Sequence, residues 1–234
     1  MMRFEELEMV GNQQAWEECD RADRMLRILG RMAGHPGWPS RQQVILLECD
    51  CAETVLGFIP EGENRPKQAI IAARTLALGE DISPAQIRAA ADAAAAYAVS
   101  SSYTDAAYAA LAAANAAYAA ASYAAASYAA DAASTSYAAS SYAAASYAAS
   151  ASYAAAADAA AADVAYYAAE ADAAAAYEAA YDDYPSEDYA FYAAEAARDK
   201  KLRELAELIR PRFSPVSENL GLEREVEGIC SHSS

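Results

Sequence analysis

Few residues in this chain are equipped for acid–base, nucleophilic or metal chemistry. It has two histidines, His35 and His232. His35 sits in the loop Gly34-His35-Pro36-Gly37-Trp38-Pro39, and His232 in the terminal Ser231-His232-Ser233-Ser234. No carboxylate or cysteine is spaced to make His35 a metal ligand or a general base. The cysteines, Cys19, Cys49, Cys51 and Cys230, fit no zinc pattern. Cys49 and Cys51 stand two apart on an expected helix, so their side chains point about 200° apart. All four read as small buried hydrophobes of a reducing cytoplasm. There is no P-loop, no glycine-rich dinucleotide loop and no Ser/His/Asp set. The expectation is a protein that is not an enzyme and holds no cofactor or metal.

The chemistry that remains is recognition, and it is concentrated between Glu170 and Tyr192. There acidic and aromatic side chains alternate around Pro185: Glu170, Asp172, Tyr177, Glu178, Tyr181, Asp182, Asp183, Tyr184, Glu187, Asp188, Tyr189, Phe191 and Tyr192. Carboxylates can meet Lys and Arg of a basic partner. Tyr supplies contact area at low entropic cost. The expected partner-binding residues are Glu178, Tyr181, Asp182, Asp183, Tyr184, Glu187 and Asp188. The competing reading is a solvated acidic helix–turn–helix whose tyrosines pack inward.

Charge points the same way. The net charge is −17. Residues 89–197 hold 13 acidic and no basic side chains, whereas residues 198–234 hold seven of each. Nucleic acid and anionic membrane need Lys and Arg to displace counterions, so neither is an expected partner; a basic protein is.

The element that must position this stretch is the Ala/Tyr/Ser block itself. Between Pro84 and Pro185 there are 100 residues without Gly or Pro. Ala has the best intrinsic helix propensity, so the block reads as helix. Tyr103, Tyr108, Tyr118, Tyr123 and Tyr128 share a five-residue register. On a helix that step advances about 140°, which sprays the rings around the axis and suits helices contacted on several sides. The alternative is a five-residue solenoid resembling the pentapeptide-repeat pattern, in which an inward Tyr hydroxyl would need a buried partner. Turns are expected at Ser100-Ser101-Ser102, Ser134-Thr135-Ser136 and Ser150-Ala151-Ser152. The resulting helices lie near 84–99, 104–133, 136–150 and 154–183, packed antiparallel.

In front of the block, Phe4 to Val10 starts a short helix. Asn12 is expected to cap a helix to about Ala33, striped by Trp16, Cys19, Ala22, Leu26 and Leu29. Arg21, Arg24, Arg27 and Arg31 form its basic edge, either solvated or paired with the acidic block. Ser40 opens the most hydrophobic helix, to about Gly57. Pro66 suits the first turn of the next, which stops at Gly79. Ser83-Pro84 opens the block. Behind it, Ser186 caps a last helix to about Ile209.

The run Cys51-Ala52-Glu53-Thr54-Val55-Leu56, followed by Asn64-Arg65-Pro66-Lys67-Gln68-Ala69-Ile70-Ile71-Ala72-Ala73-Arg74 and Gly79-Glu80, resembles the immunity protein family of bacterial polymorphic toxin systems, the Imm-five-like group. Members carry a similar Cys-Ala-Glu helix and a similar Arg-Pro segment before an Ala-rich half. Lys67-Gln68 stands here where Arg-Lys is usual. The resemblance spans roughly residues 38–200, and its sharp part is about 40 residues long. It implies an all-α protein that binds and neutralises a toxin, and it brings no catalytic residues. Cys51, Glu53, Asn64, Arg65, Pro66 and Arg74 carry the motif and are expected to be structural.

The expected architecture is therefore all-α: an Ala-rich, multi-helix antiparallel bundle with an N-terminal helical cap. Residues 1–83 form the cap, 84–210 the acidic helical region packed on it, and 211–234 a flexible tail. No basic start followed by an apolar run marks a signal peptide, and no stretch reads as a spanning helix, so the expected location is the cytoplasm. The expected function is a non-enzymatic immunity protein for a basic toxin. A structural or surface Ala-rich protein and a small-molecule-binding bundle with a Tyr-lined cavity are the alternatives.

Overall fold

The computed structural model describes residues 13–135, 140–184 and 186–213. Among these residues the chain forms helices α1 (Gln13–Glu18), α2 (Ala22–Met32), α3 (Arg41–Glu53), α4 (Arg65–Ala77), α5 (Pro84–Ser100), α6 (Thr104–Thr135), α7 (Ser140–Asp183) and α8 (Glu187–Ile209), with a 3-10 turn at Leu56–Phe58. No strand occurs among them. The fold is all-α.

Local chemistry sets the helix boundaries where the sequence is not low in complexity. Ser40 and Gln43 form a capping box: the Gln43 amide donates to Ser40 Oγ at 3.2 Å, and the Ser40 amide to Gln43 Oε1 at 2.8 Å. Ser83 and Gln86 repeat it at 3.3 and 2.9 Å, with Pro84 in the first turn. Gly79 takes φ +78° beyond the end of α4. Its amide donates to Leu76 O and the Glu80 amide to Thr75 O, which closes the helix in a Schellman motif.

α6 and α7 are the centre of the bundle and form its most extensive interface. α6 also touches α3, α4 and α5; α7 also touches α2, α3 and α8. With neighbours on so many sides, α6 buries Ala109, Ala110, Ala112, Ala113, Ala114, Ala116 and Ala117 completely, which no single stripe could do. The larger side chains come from the helices around it. Met25, Leu26, Ile28, Leu29, Val44, Leu47, Ile70, Ile87, Leu205 and Ile209 join the alanines in one continuous core.

The tyrosines of α6 reach different neighbours, as the 140° step requires. Tyr108 stacks on Tyr167 of α7 at 6.2 Å. The Tyr118 hydroxyl donates to Asp92 Oδ1 of α5 at 2.6 Å. Tyr123 points at α2, its hydroxyl 3.5 Å from Gly30 O, and lies under the Arg41 guanidinium at 5.0 Å. These pairings also fix the directions: α5 and α6 run antiparallel, as do α6 and α7. The block is helical, so the five-residue solenoid is not formed.

Three expected boundaries move. The helix expected up to Ala33 is two helices, broken at Cys19-Asp20-Arg21; Asn12 and Phe4–Val10 lie outside the described residues. Trp16 and Ala22 would point about 120° apart on one helix. The break lets both reach the core, where neither has any exposure. The Ser40 helix ends at Glu53 rather than near Gly57; Thr54 Oγ1 donates to Cys51 O at 2.8 Å, and a 3-10 turn follows. α7 passes through Ser150-Ala151-Ser152 without a break. Ser costs a helix only a few tenths of a kcal/mol relative to Ala, less than the backbone hydrogen bonds that a turn would forfeit. The turn expected at Ser100–Ser102 is present. Ser100 Oγ adds a bond to Tyr97 O at 3.0 Å, and the Tyr103 amide turns to Ser101 Oγ at 3.2 Å, so a hydroxyl accepts the amide that leaves the helix. α6 runs to Thr135, and Ser136 falls outside the described residues.

Cys49 and Cys51 are buried free thiols, and burial pushes both well above the ordinary thiol range. Cys19 is half-buried and raised for the same reason, while Cys230 lies outside the described residues. Arg212 pairs with Asp50 and Phe213 packs on the core, so the first residues after α8 are tied down.

Two outcomes test this packing. Ala113→Leu inserts three carbons where α6 has no free space, and should lower the unfolding free energy by about 1–3 kcal/mol in urea titrations. Burial, and then the hydrogen bond to Asp92, push the Tyr118 phenol up to about 12. Its folded pKa is raised, so the stability it contributes is complete below about pH 10 and lost as pH rises toward 12. In tyrosinate absorbance titrations, Asp92→Asn should move one late-titrating phenol down toward 10.

Candidate functional site

α7 and α8 form an antiparallel hairpin whose reversal lies between Asp183 and Glu187, where the Ser186 amide donates to Tyr184 O. Ser186 occupies the N-cap position of α8 without a side-chain capping bond. Pro185 lies outside the described residues.

Two ion pairs hold the hairpin together from within. Arg198 of α8 pairs with Glu170 of α7: Nη2 donates to Oε2 at 3.0 Å, and Nε stands 2.7 Å from Oε1. One turn on, the largely buried Lys201 meets Asp172 at 3.4 Å. Two of the first three cations after the acidic block thus answer the buried Glu170 and the half-buried Asp172 of α7.

The carboxylates nearer the reversal have no such answer. Glu178, Asp182, Asp183, Glu187 and Asp188 are exposed, and none has an ion pair or side-chain hydrogen bond among the described residues. Tyr181 and Tyr184 are exposed among them, Tyr184 at 65%. All seven expected partner-binding residues are therefore brought together on this tip. The alternative in which the tyrosines pack inward is corrected here: Tyr177, Tyr181, Tyr184, Tyr189 and Tyr192 all face solvent. The physical reason is that α8 meets α7 through Ala190, Leu202, Leu205 and the two ion pairs, which leaves the rings no place in the seam. They pack on one another instead. Tyr177 stacks on Tyr181 at 6.2 Å and 7°, and Tyr184 meets Tyr189 edge-on at 5.9 Å.

Below the tip lies a cleft of about 250 Å³ between the start of α6, the last turns of α7 and the first half of α8. It is lined by Thr104, Tyr108, Tyr177, Phe191, Glu178 and Glu195, by Ala173, Ala174 and Ala194, and by the Glu170–Arg198 pair. Sequence reasoning missed Tyr108, Glu195 and Arg198 as site residues. Tyr108 is more than sixty positions from the others, and only the antiparallel return of α7 brings them together.

The motif residues have structural roles elsewhere. Arg74 of α4 reaches back to Glu53 and Asp50 of α3, each at 2.5 Å, and Asp50 also receives Arg212. Cys51 is buried and Pro66 sits in the first turn of α4. Asn64 precedes α4 without capping it; its Nδ2 donates to Gly62 O at 3.3 Å. Arg65 pairs with Glu63 at 2.6 Å and lies over the Tyr97 ring at 5.0 Å. Of the α2 arginines, Arg21 pairs within its own segment with Asp23, and the charge of Arg27 counters the burial that raises Asp163 of α7. His35 is an exposed loop residue whose amide donates to Met32 O. Among the described residues no three His, Cys, Asp or Glu side chains are grouped to hold a metal, and no helix is long and apolar enough to cross a membrane.

Fold and site together define an all-α antiparallel bundle with an acidic, aromatic hairpin tip. No family model, curated protein or solved structure matches the chain.

The Glu170–Arg198 pair gives a local test. Arg198→Met leaves a nearly buried carboxylate without its cation and should destabilise the chain by about 1–3 kcal/mol in thermal or urea unfolding. A double variant that also carries Glu170→Leu should recover most of the loss.

Proposed function

We propose that the chain is a non-catalytic immunity protein that neutralises a basic bacterial toxin by binding it with the α7–α8 tip. The observation that carries this reading is the tip itself: five exposed carboxylates without partners among the described residues, interleaved with exposed tyrosines. Unpaired surface carboxylates raise the on-rate and specificity for a basic surface, and tyrosines supply the area that holds it. The 13 acidic residues of 89–197, only some of them paired with cations from outside that stretch, extend the attractive field over the bundle. The resemblance of the Cys-Ala-Glu and Arg-Pro segments supplies the toxin, and a reducing cytoplasm is the compartment this reading assigns.

The full-length tagged chain should capture one stoichiometric, basic protein from its native host at low salt and release it as salt rises. That protein should be toxic when expressed alone and tolerated when co-expressed with this chain. Neutralising Asp182→Asn, Asp183→Asn, Glu187→Gln and Asp188→Asn together should weaken the complex by roughly 10- to 100-fold without changing the melting temperature. Full protection by that quadruple variant would remove the tip from the interface.

A further inference from the structure

The cleft beneath the tip has a chemistry of its own. Three aromatic walls, Tyr108, Tyr177 and Phe191, stand with three carboxylates, Glu170, Glu178 and Glu195. Arg198 balances Glu170, so the lining keeps a net charge of −2. A neutral apolar ligand would cover Glu178, which has no cation among the described residues, and Glu195, which shares the Arg198 charge with Glu170, and strand charge there. An anion would meet repulsion. A bare metal ion would face rings, and no grouping of His, Cys, Asp or Glu suited to a metal occurs among the described residues. An organic cation satisfies both parts of the lining, because ring faces and carboxylates attract it together.

The rest of the chain shows how its tyrosines meet cations. Arg41 lies over Tyr123 at 5.0 Å, Arg65 over Tyr97 at 5.0 Å and Arg88 over Tyr118 at 5.9 Å. Each pair joins a basic residue from outside the acidic block to a ring within it. Among the described residues no cation of the chain lies over Tyr108, Tyr177 or Phe191.

We infer that this cleft is the socket for one arginine side chain of the basic partner. The inference rests on the binding reading above and names the group recognised there. A volume of about 250 Å³ falls below the usual range for drug-sized ligands, roughly 300–1,000 Å³, and suits a single side chain. Arginine fits better than lysine, because its planar guanidinium stacks on a ring while its edge donates to carboxylates. Glu178 belongs both to the cleft wall and to the exposed tip, so a chain drawn to the tip passes the cleft mouth.

The test uses the full-length chain and three probes followed by NMR at low salt: N-acetyl-arginine methylamide, its neutral citrulline isostere, and tetramethylammonium. The arginine amide should shift the ring resonances of Tyr108, Tyr177 and Phe191 saturably, and the citrulline amide should not. Glu178→Gln with Glu195→Gln, and separately Tyr177→Leu, should each weaken arginine binding by about tenfold. These side chains border solvent, so circular dichroism should be unchanged. Equal response to the citrulline amide, absence of saturation, or response to tetramethylammonium alone would each overturn the inference. The quadruple tip variant should still bind the arginine amide. Failure of the unmutated chain to capture any basic partner, with saturable arginine binding intact, would therefore count against the proposed function, while failure of the probe with intact capture counts against the socket alone.

Discussion

The structure depends on backbone-close packing between α6 and α7. Both helices are built mainly of alanine, and alanine buries little area per residue. What it permits is approach: where alanine faces alanine along the seam, dispersion contacts form close to the backbones themselves. That contact is worth little per residue and must be long to suffice, which is consistent with helices of 32 and 44 residues. It also explains why α1, α2, α3, α4 and α8 bring tryptophan, leucine, isoleucine and methionine to the outside of the pair. The alanine helices set the geometry, and their neighbours supply most of the apolar area.

The same economy governs charge. A block without Lys or Arg cannot neutralise itself, so each buried or half-buried acid in it needs a cation from elsewhere. Arg198 and Lys201 supply two, and Arg27 acts on Asp163. Guanidinium groups also settle on tyrosine faces, Arg41 and Arg65 from the cap and Arg88 from the start of α5. These cations enter from the flanks, so their reach ends before the α7–α8 reversal. The tip carboxylates are what is left after internal pairing.

Legibility in the sequence followed local complexity. Ser40 and Ser83 could be read as caps because each stands before a distinctive run, and Gly79 as a stop because only a left-handed residue closes a Schellman turn cheaply. The 140° step between tyrosines announced contacts on several faces, and Tyr108, Tyr118 and Tyr123 make them. The serines at 150 and 152 misled, since a residue that suits turns is also tolerated within a long helix. The break at Cys19–Arg21 was hidden because an apolar stripe counts spacings and cannot say which two residues must reach one core from different directions. The tip was visible as composition. The cleft was not, because its lining comes from segments that only tertiary packing makes neighbours.

The start of α6 has one more geometric consequence. Thr104, its first residue, borders the cleft together with Ala173, Ala174 and Glu178 of α7. α6 therefore ends its cover of α7 at about that level. The last turn of α7 and the first of α8 continue past it, over roughly 8 Å at 1.5 Å per residue. Among the described residues, α6 no longer runs beside the hairpin there. That end of the hairpin stands as a peg. A peg can be grasped from several sides at once, so the shape it fits is a concavity, and a catalytic groove filled by such a peg would be closed to its substrate.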